Sequence, residues 1–175
     1  MAILTLGEQD ARIVALAVTY HLGRPGSETD PDTLLRHDLG LGPVQATLAP
    51  QIGRAQATLE LSPYQLQRLD ESLLGLTNEL KQYELAQRRS AVPGFEEAIS
   101  RLFPALAFTA DGERDDSTLD LVTHVVLLRR RLGAAVAEAE ATLAAERAAT
   151  AEATRAARQP WWRRLLRGWP PPPPR

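Results

Sequence analysis

Residues 62–83 read SPYQLQRLDESLLGLTNELKQY. Ser62 can cap a helix, Pro63 suits the first helical position, and Gln65 stands where a capping box places its reciprocal partner. Behind that start, Leu66, Leu69, Leu73, Leu76, Leu80 and Tyr83 recur in alternating steps of three and four. This spacing keeps them on one helix face and predicts a coiled-coil-like seam over residues 63–87. An apolar seam of that length needs a second helix to cover it.

The sequence offers one. Asp115, Asp116, Ser117 and Asp120 open a helix, the three acids lying where the positive end of its dipole favours them. Leu121, Val125, Leu128, Leu132, Ala135, Ala139 and Thr142 follow in steps of four and three. The two seams are expected to pair, and the long connection between them leaves their relative direction open. At about 1.5 Å per residue, a helix over residues 117–158 would be roughly 63 Å long against roughly 38 Å for its partner. About 25 Å should therefore extend beyond the bundle. After Leu143 the sequence AAERAATAEATRAAR has high helix propensity and little to bury, which fits a solvated arm. Alternatively, its alanines allow close packing in a homodimer.

The remaining segments read as shorter helices. ARIVALAVTYHL, residues 11–22, is apolar on nearly every side, as in a helix buried among several neighbours. Asp30 and Pro31 suit a cap and first turn for a brief helix over residues 32–37. Val44, Leu48, Ile52, Ala55 and Leu59 keep one helical face through Pro50, so a helix is expected there, kinked or restarted at the proline. SAVPG, residues 90–94, breaks the pattern before Phe95, Ala98, Ile99 and Leu102 form one face of a helix that stops before Pro104. Residues 104–116 read as a loop.

Composition agrees with this outline. The chain has 175 residues, 44% hydrophobic but only 5% aromatic, which favours a helical core of Leu, Val, Ile and Ala over a β-sandwich. With no cysteine, disulfide scaffolds, thiolate metal sites and thiol nucleophiles are excluded. The expected fold is an all-α helical bundle with a long C-terminal helix and an amphipathic Trp/Arg tail. Residues 1–110 would form a compact head, 111–158 the long helix and 159–175 the tail. The opening MAILTLGEQDAR has neither the basic nor the apolar region of a secretory signal, and no run is long enough to span a bilayer. Those features predict a soluble, cytoplasmic protein.

Charge is unevenly distributed. Residues 153–175 hold six of the 20 basic residues and none of the 22 acids. Within them, residues 161–169 read WWRRLLRGW and contain all three tryptophans. On a helical wheel Trp161, Trp162, Leu165, Leu166 and Trp169 fill an arc of about 140°, and Arg163, Arg164 and Arg167 lie opposite. Such a division suits a helix lying at an anionic membrane surface, with indoles at headgroup level and guanidiniums on phosphate. The same residues could fold back onto the head or be read by a partner protein. The run Pro170–Pro174 reads as a polyproline stub.

Signals for other chemistry are weak. His21, His37 and His124 include no pair at helical metal-ligand spacing, and no cofactor is expected. Asp115, Asp116 and Asp120 could approach magnesium, but helix capping explains them better. Glu97 stands one turn before Arg101, a surface-pair spacing. Phosphate-loop, dinucleotide and hydrolase-elbow motifs are missing from the sequence. The helix opened by Ser62 offers Arg68 beside Asp70 and Glu71, too few cations for DNA, and Arg129, Arg130 and Arg131 fan around their helix as a solvated face. The expected function is a helical interaction or adaptor protein, peripheral to an anionic membrane through its tail. Its partner would be another protein or a second copy, as a homodimer through the C-terminal helix. A helical-bundle enzyme or ligand-binding protein using His and Asp between helices is the alternative, and a DNA-binding regulator comes third.

Overall fold

The seam of residues 62–83 is buried as its spacing requires. In the computed structural model, which describes residues 1–28, 39–107 and 117–158 (side chains of 107, 117 and 156–158 excepted), Pro63–Leu85 form one helix. The capping box closes: the Ser62 hydroxyl accepts from the Gln65 N–H at 3.1 Å, and the Gln65 side-chain oxygen accepts from the Ser62 N–H at 2.9 Å. Leu66, Leu69, Leu73, Leu76, Leu80 and Tyr83 are all buried.

The elements run β1 (Ala2–Gly7), α1 (Glu8–Gly23), α2 (Gly42–Leu48), a 3-10 turn (Ala49–Gln51), β2 (Gln56–Leu61), α3 (Pro63–Leu85), α4 (Phe95–Leu102), α5 (Pro104–Ala107) and α6 (Ser117–Arg158). The first compact unit spans Met1–Glu140. Its centre is α1, where Ile13, Val14, Leu16, Ala17 and Val18 are fully buried on several faces, as the continuous apolar run anticipates. Among the helices α1 is the closest neighbour of α3. They meet where the Ser72 hydroxyl donates to the Ala17 carbonyl and where Gly75 faces Tyr20. A Cβ at Gly75 would lie 2.6 Å from the Tyr20 ring, so the approach requires glycine. Phe95 of α4 then meets Tyr20 and Tyr83 edge-on, with ring centroids 6.1 and 5.9 Å away.

Helix α6 lies along α3 in the opposite direction. Thr118 donates to the Glu84 carboxylate near one end, and Arg129 pairs with Asp70 further on, so residue numbers fall on α3 as they rise on α6. The buried stripe on α6 starts as expected with Leu121, Val125, Leu128 and Leu132, then continues through Val136, Ala139 and Leu143. Thr142 is exposed and Ala135 only half-buried. A step of four from Leu132 puts the larger side chains inward and keeps the repeat nearer the 3.6 of a straight helix than the 3.5 of a supercoil. In the second unit, Ala141–Arg175, the described side chains after Leu143 are all exposed.

The chain is mostly helical but not all-α. Strands β1 and β2 pair antiparallel, from Ala2 opposite Leu61 to Gly7 opposite Gln56. Leu4, Leu6, Ala57, Leu59 and Leu61 form the buried face by two-residue alternation, while Ile3 on the other face is 67% exposed. The helical register drawn from Val44 to Leu59 therefore fails after Leu48. The chain tightens into one 3-10 turn at Ala49–Gln51, and Gly53 reverses it at φ 86°. The Gln51 side chain fixes the result, accepting from the Thr58 N–H at 2.9 Å and donating to the Thr58 carbonyl at 3.1 Å. Ala55 is exposed, and Leu59 is buried from a strand instead of a helix. Pro104–Ala107 also form a helical turn where a loop was expected. Residues 32–37, Asp115 and Asp116 lie outside the described residues.

The sheet predicts an asymmetry between its faces. Leu6→Ala, at a site 2% exposed, should cost about 2–5 kcal/mol in urea unfolding. Ile3→Ala should stay within about 0.5 kcal/mol of wild type.

Burial, and then the charge of Glu96, raise the Tyr83 phenol above its usual pKa of 10.0. The fold favours the neutral phenol, so its contribution is complete below pH 10 and is lost as pH rises through the raised value. Tyr83→Phe should flatten the alkaline fall in stability measured by denaturation at graded pH.

Candidate functional site

The residues expected to bind a membrane or partner, Trp161, Trp162, Arg163, Arg164, Leu165, Leu166, Arg167 and Trp169, lie outside the described residues, as does the polyproline run. A groove of about 720 Å³ lies in the first unit. Three segments make its walls. Arg12, Ala15 and Thr19, at steps of three and four, are the small and polar side of the otherwise apolar α1. Leu48 and Ile52 enter from α2 and the turn after it, and Leu102 and Pro104 from the junction of α4 and α5.

The polar groups of the groove have distinct positions. The Thr19 hydroxyl donates to the Ala15 carbonyl at 2.9 Å, within its own helix. Arg12 is held in place by ion pairing with Glu8 and by a long contact of 3.4 Å to the Leu102 carbonyl. Arg101, at the end of α4, is exposed and has no ion pair or hydrogen bond among the described residues; the Glu97 spacing does not close into a bridge. Among the described residues the lining has two guanidiniums, no carboxylate and no histidine.

The histidines are placed separately. His21 is buried at the end of α1, 3.7 Å from the Glu28 carboxylate, which also accepts from the Leu41 N–H and ties the chain there. His124 is exposed on α6, its Nδ1 2.8 Å from the Asp120 carbonyl. His37 lies outside the described residues. Among the described residues no three His, Asp or Glu side chains gather as a metal-ligand set. None of the described helices is long and apolar enough to cross a membrane.

Arg129 and Arg131, expected on a solvated face, connect helices instead, and Arg68 ties α3 to the chain after α1. Arg68 donates to the Ser27 carbonyl at 2.9 Å and to the Tyr64 hydroxyl at 3.1 Å, with its guanidinium 5.0 Å from the Tyr64 ring centre. A cation so committed to the chain after α1 does not face outward to phosphate. Arg129 binds both oxygens of Asp70, at 2.7 and 2.9 Å, and this hydrogen bonding raises its already high pKa. Arg131 reaches Asp10 on α1 at 2.6 Å. These partners lie far apart in sequence and leave no local spacing to read. For the groove a signal did exist, the run of smaller and polar residues Arg12, Ala15 and Thr19 inside an apolar helix.

No protein family, curated protein or solved structure matches the chain. The assignment of function therefore rests on its own residues.

The Arg129–Asp70 pair supplies a check on how α6 is held. Its groups are partly exposed, so a double-mutant cycle of Arg129→Ala and Asp70→Ala should give a coupling of about 0.5–1 kcal/mol by urea unfolding. The same cycle of Arg130→Ala with Asp70→Ala should give none.

Proposed function

We propose that this chain is a non-enzymatic interaction protein whose basic C-terminal segment, residues 159–175, contacts an anionic membrane surface. The observation that supports this reading is the exposure of residues 144–155, where α6 continues with no buried side chain. A helical stretch that buries nothing adds little to a core, and its Ala-rich composition makes it a connector. What it connects to is the segment in which every nearby charge is positive and every tryptophan is found.

Magnitudes set the character of the binding. Burying the five large apolar side chains of residues 161–169 is worth about 1.5–3 kcal/mol each, and ordering those nine residues costs about 1–2 kcal/mol each, so the two nearly cancel. Attraction of arginine to anionic lipid, about 1 kcal/mol per residue, then decides the outcome. Binding is weak for one chain, salt-sensitive and strengthened by presenting two tails together.

Tryptophan emission reports on the segment directly, because all three tryptophans lie in it. The spectrum should be red-shifted in buffer and move to the blue with anionic vesicles but not with zwitterionic ones. Raising the salt should reverse the shift. Deleting residues 159–175 should abolish co-pelleting with vesicles and preserve the helical circular dichroism of the remainder. A spectrum already blue in buffer, with no response to lipid, would replace this reading with fold-back or self-association.

A further inference from the structure

We infer that the groove bounded by α1, α2 and the α4–α5 junction binds one straight-chain carboxylate, with the acyl chain along its floor and the carboxylate at Arg101 and Arg12. The volume, about 720 Å³, is in the range of small-molecule sites, which combine an apolar lining with a few placed polar groups. Here the apolar lining includes Ala15, Leu48, Ile52 and Leu102, and the polar groups are Thr19, Gln45 and the two guanidiniums, which alone carry charge.

Charge selects the ligand. Among the described residues Glu8 balances Arg12, Arg101 has no ion pair, and the lining holds no acid. One net positive charge beside an apolar trough matches an amphiphile with one negative end. Guanidinium forks also suit the planar, two-oxygen geometry of a carboxylate. The chain's own Trp-rich segment is a poor occupant, because residues 161–169 carry three arginines and no acid and would meet like charge. An alkylammonium fails for the same reason, and an uncharged alcohol leaves Arg101 unpaired. This inference is independent of the membrane reading, since it concerns a different part of the chain.

The test uses the full chain with dodecanoate, dodecanol and dodecyltrimethylammonium, each below its micelle-forming concentration, read by calorimetric titration and thermal unfolding. Dodecanoate should bind saturably at one site and raise the Tm. Dodecanol should bind at least roughly tenfold more weakly, and dodecyltrimethylammonium should not bind saturably. Arg101→Glu should weaken dodecanoate by roughly tenfold or more while lowering the ligand-free Tm by only a few degrees, the cost of an acid in the last turn of α4 one turn after Glu97. Arg101→Lys should retain an intermediate affinity. Ala46→Trp, an exposed lining position, should block the trough by size without a change of charge. Equal binding of all three amphiphiles, or wild-type affinity in Arg101→Glu, would overturn the proposal. The latter result would place dodecanoate on the arginines of residues 159–175 instead.

Discussion

The contact between Gly75 and Tyr20 governs how the helices of the first unit are arranged. With no Cβ at residue 75, the aromatic ring of α1 lies directly against the backbone of α3, and the Ser72 hydroxyl one turn earlier satisfies the Ala17 carbonyl. That polar contact is buried and made, so the hydrogen bond offsets the cost of taking the hydroxyl out of water. The rest follows from the position of the ring. Phe95 makes T-shaped contacts with both Tyr20 and Tyr83, and Arg24 lies 5.4 Å from the Tyr20 ring centre. A shift of α1 along α3 would disturb α4 as well, because close-packed interiors transmit displacement instead of absorbing it.

How much of this was legible depended on whether the signal was local. The capping box at Ser62, the seam from Leu66 to Tyr83 and the four buried residues of α4 are set by neighbours within a turn or two, and they fold as their spacing dictates. The sheet is different. ATLEL alternates with a period of two, but Leu59 also falls in register with Leu48 and Ile52 at helical steps, and only the Gln51 side chain on Thr58 and the bend at Gly53 decide between the patterns. Likewise β1 has one alternating strand's worth of signal and no turn linking it to its mate. The functional elements divide in the same way. The arcs of Trp161 to Trp169 can be drawn from sequence, whereas the groove brings together residues from three parts of the chain that no single window contains.

Ion pairing plays a smaller energetic part than its geometry suggests. Arg129, Arg131 and their partners Asp70 and Asp10 keep enough water contact that each bridge contributes little to net stability. Their role is directional. A buried apolar stripe tolerates sliding by a turn, but the fork of Arg129 on Asp70 and the reach of Arg131 to Asp10 match in one register only. The hydrophobic stripe of α6 supplies adhesion, and the charges select the alignment.

The β1–β2 pair also bears on how the molecule reaches its structure. Pairing Gly7 with Gln56 and Ala2 with Leu61 joins two strands separated by about fifty residues, and closing so long a loop must precede any return from the sheet. Helices α1 and α3 can form locally and early, but β1 has no mate until the chain through Leu61 has been synthesised. During that interval β1 exposes Leu4 and Leu6 on an unpaired strand. Sheet closure, with its high contact order, is thus the step at which this largely helical protein folds at the pace of a β-protein.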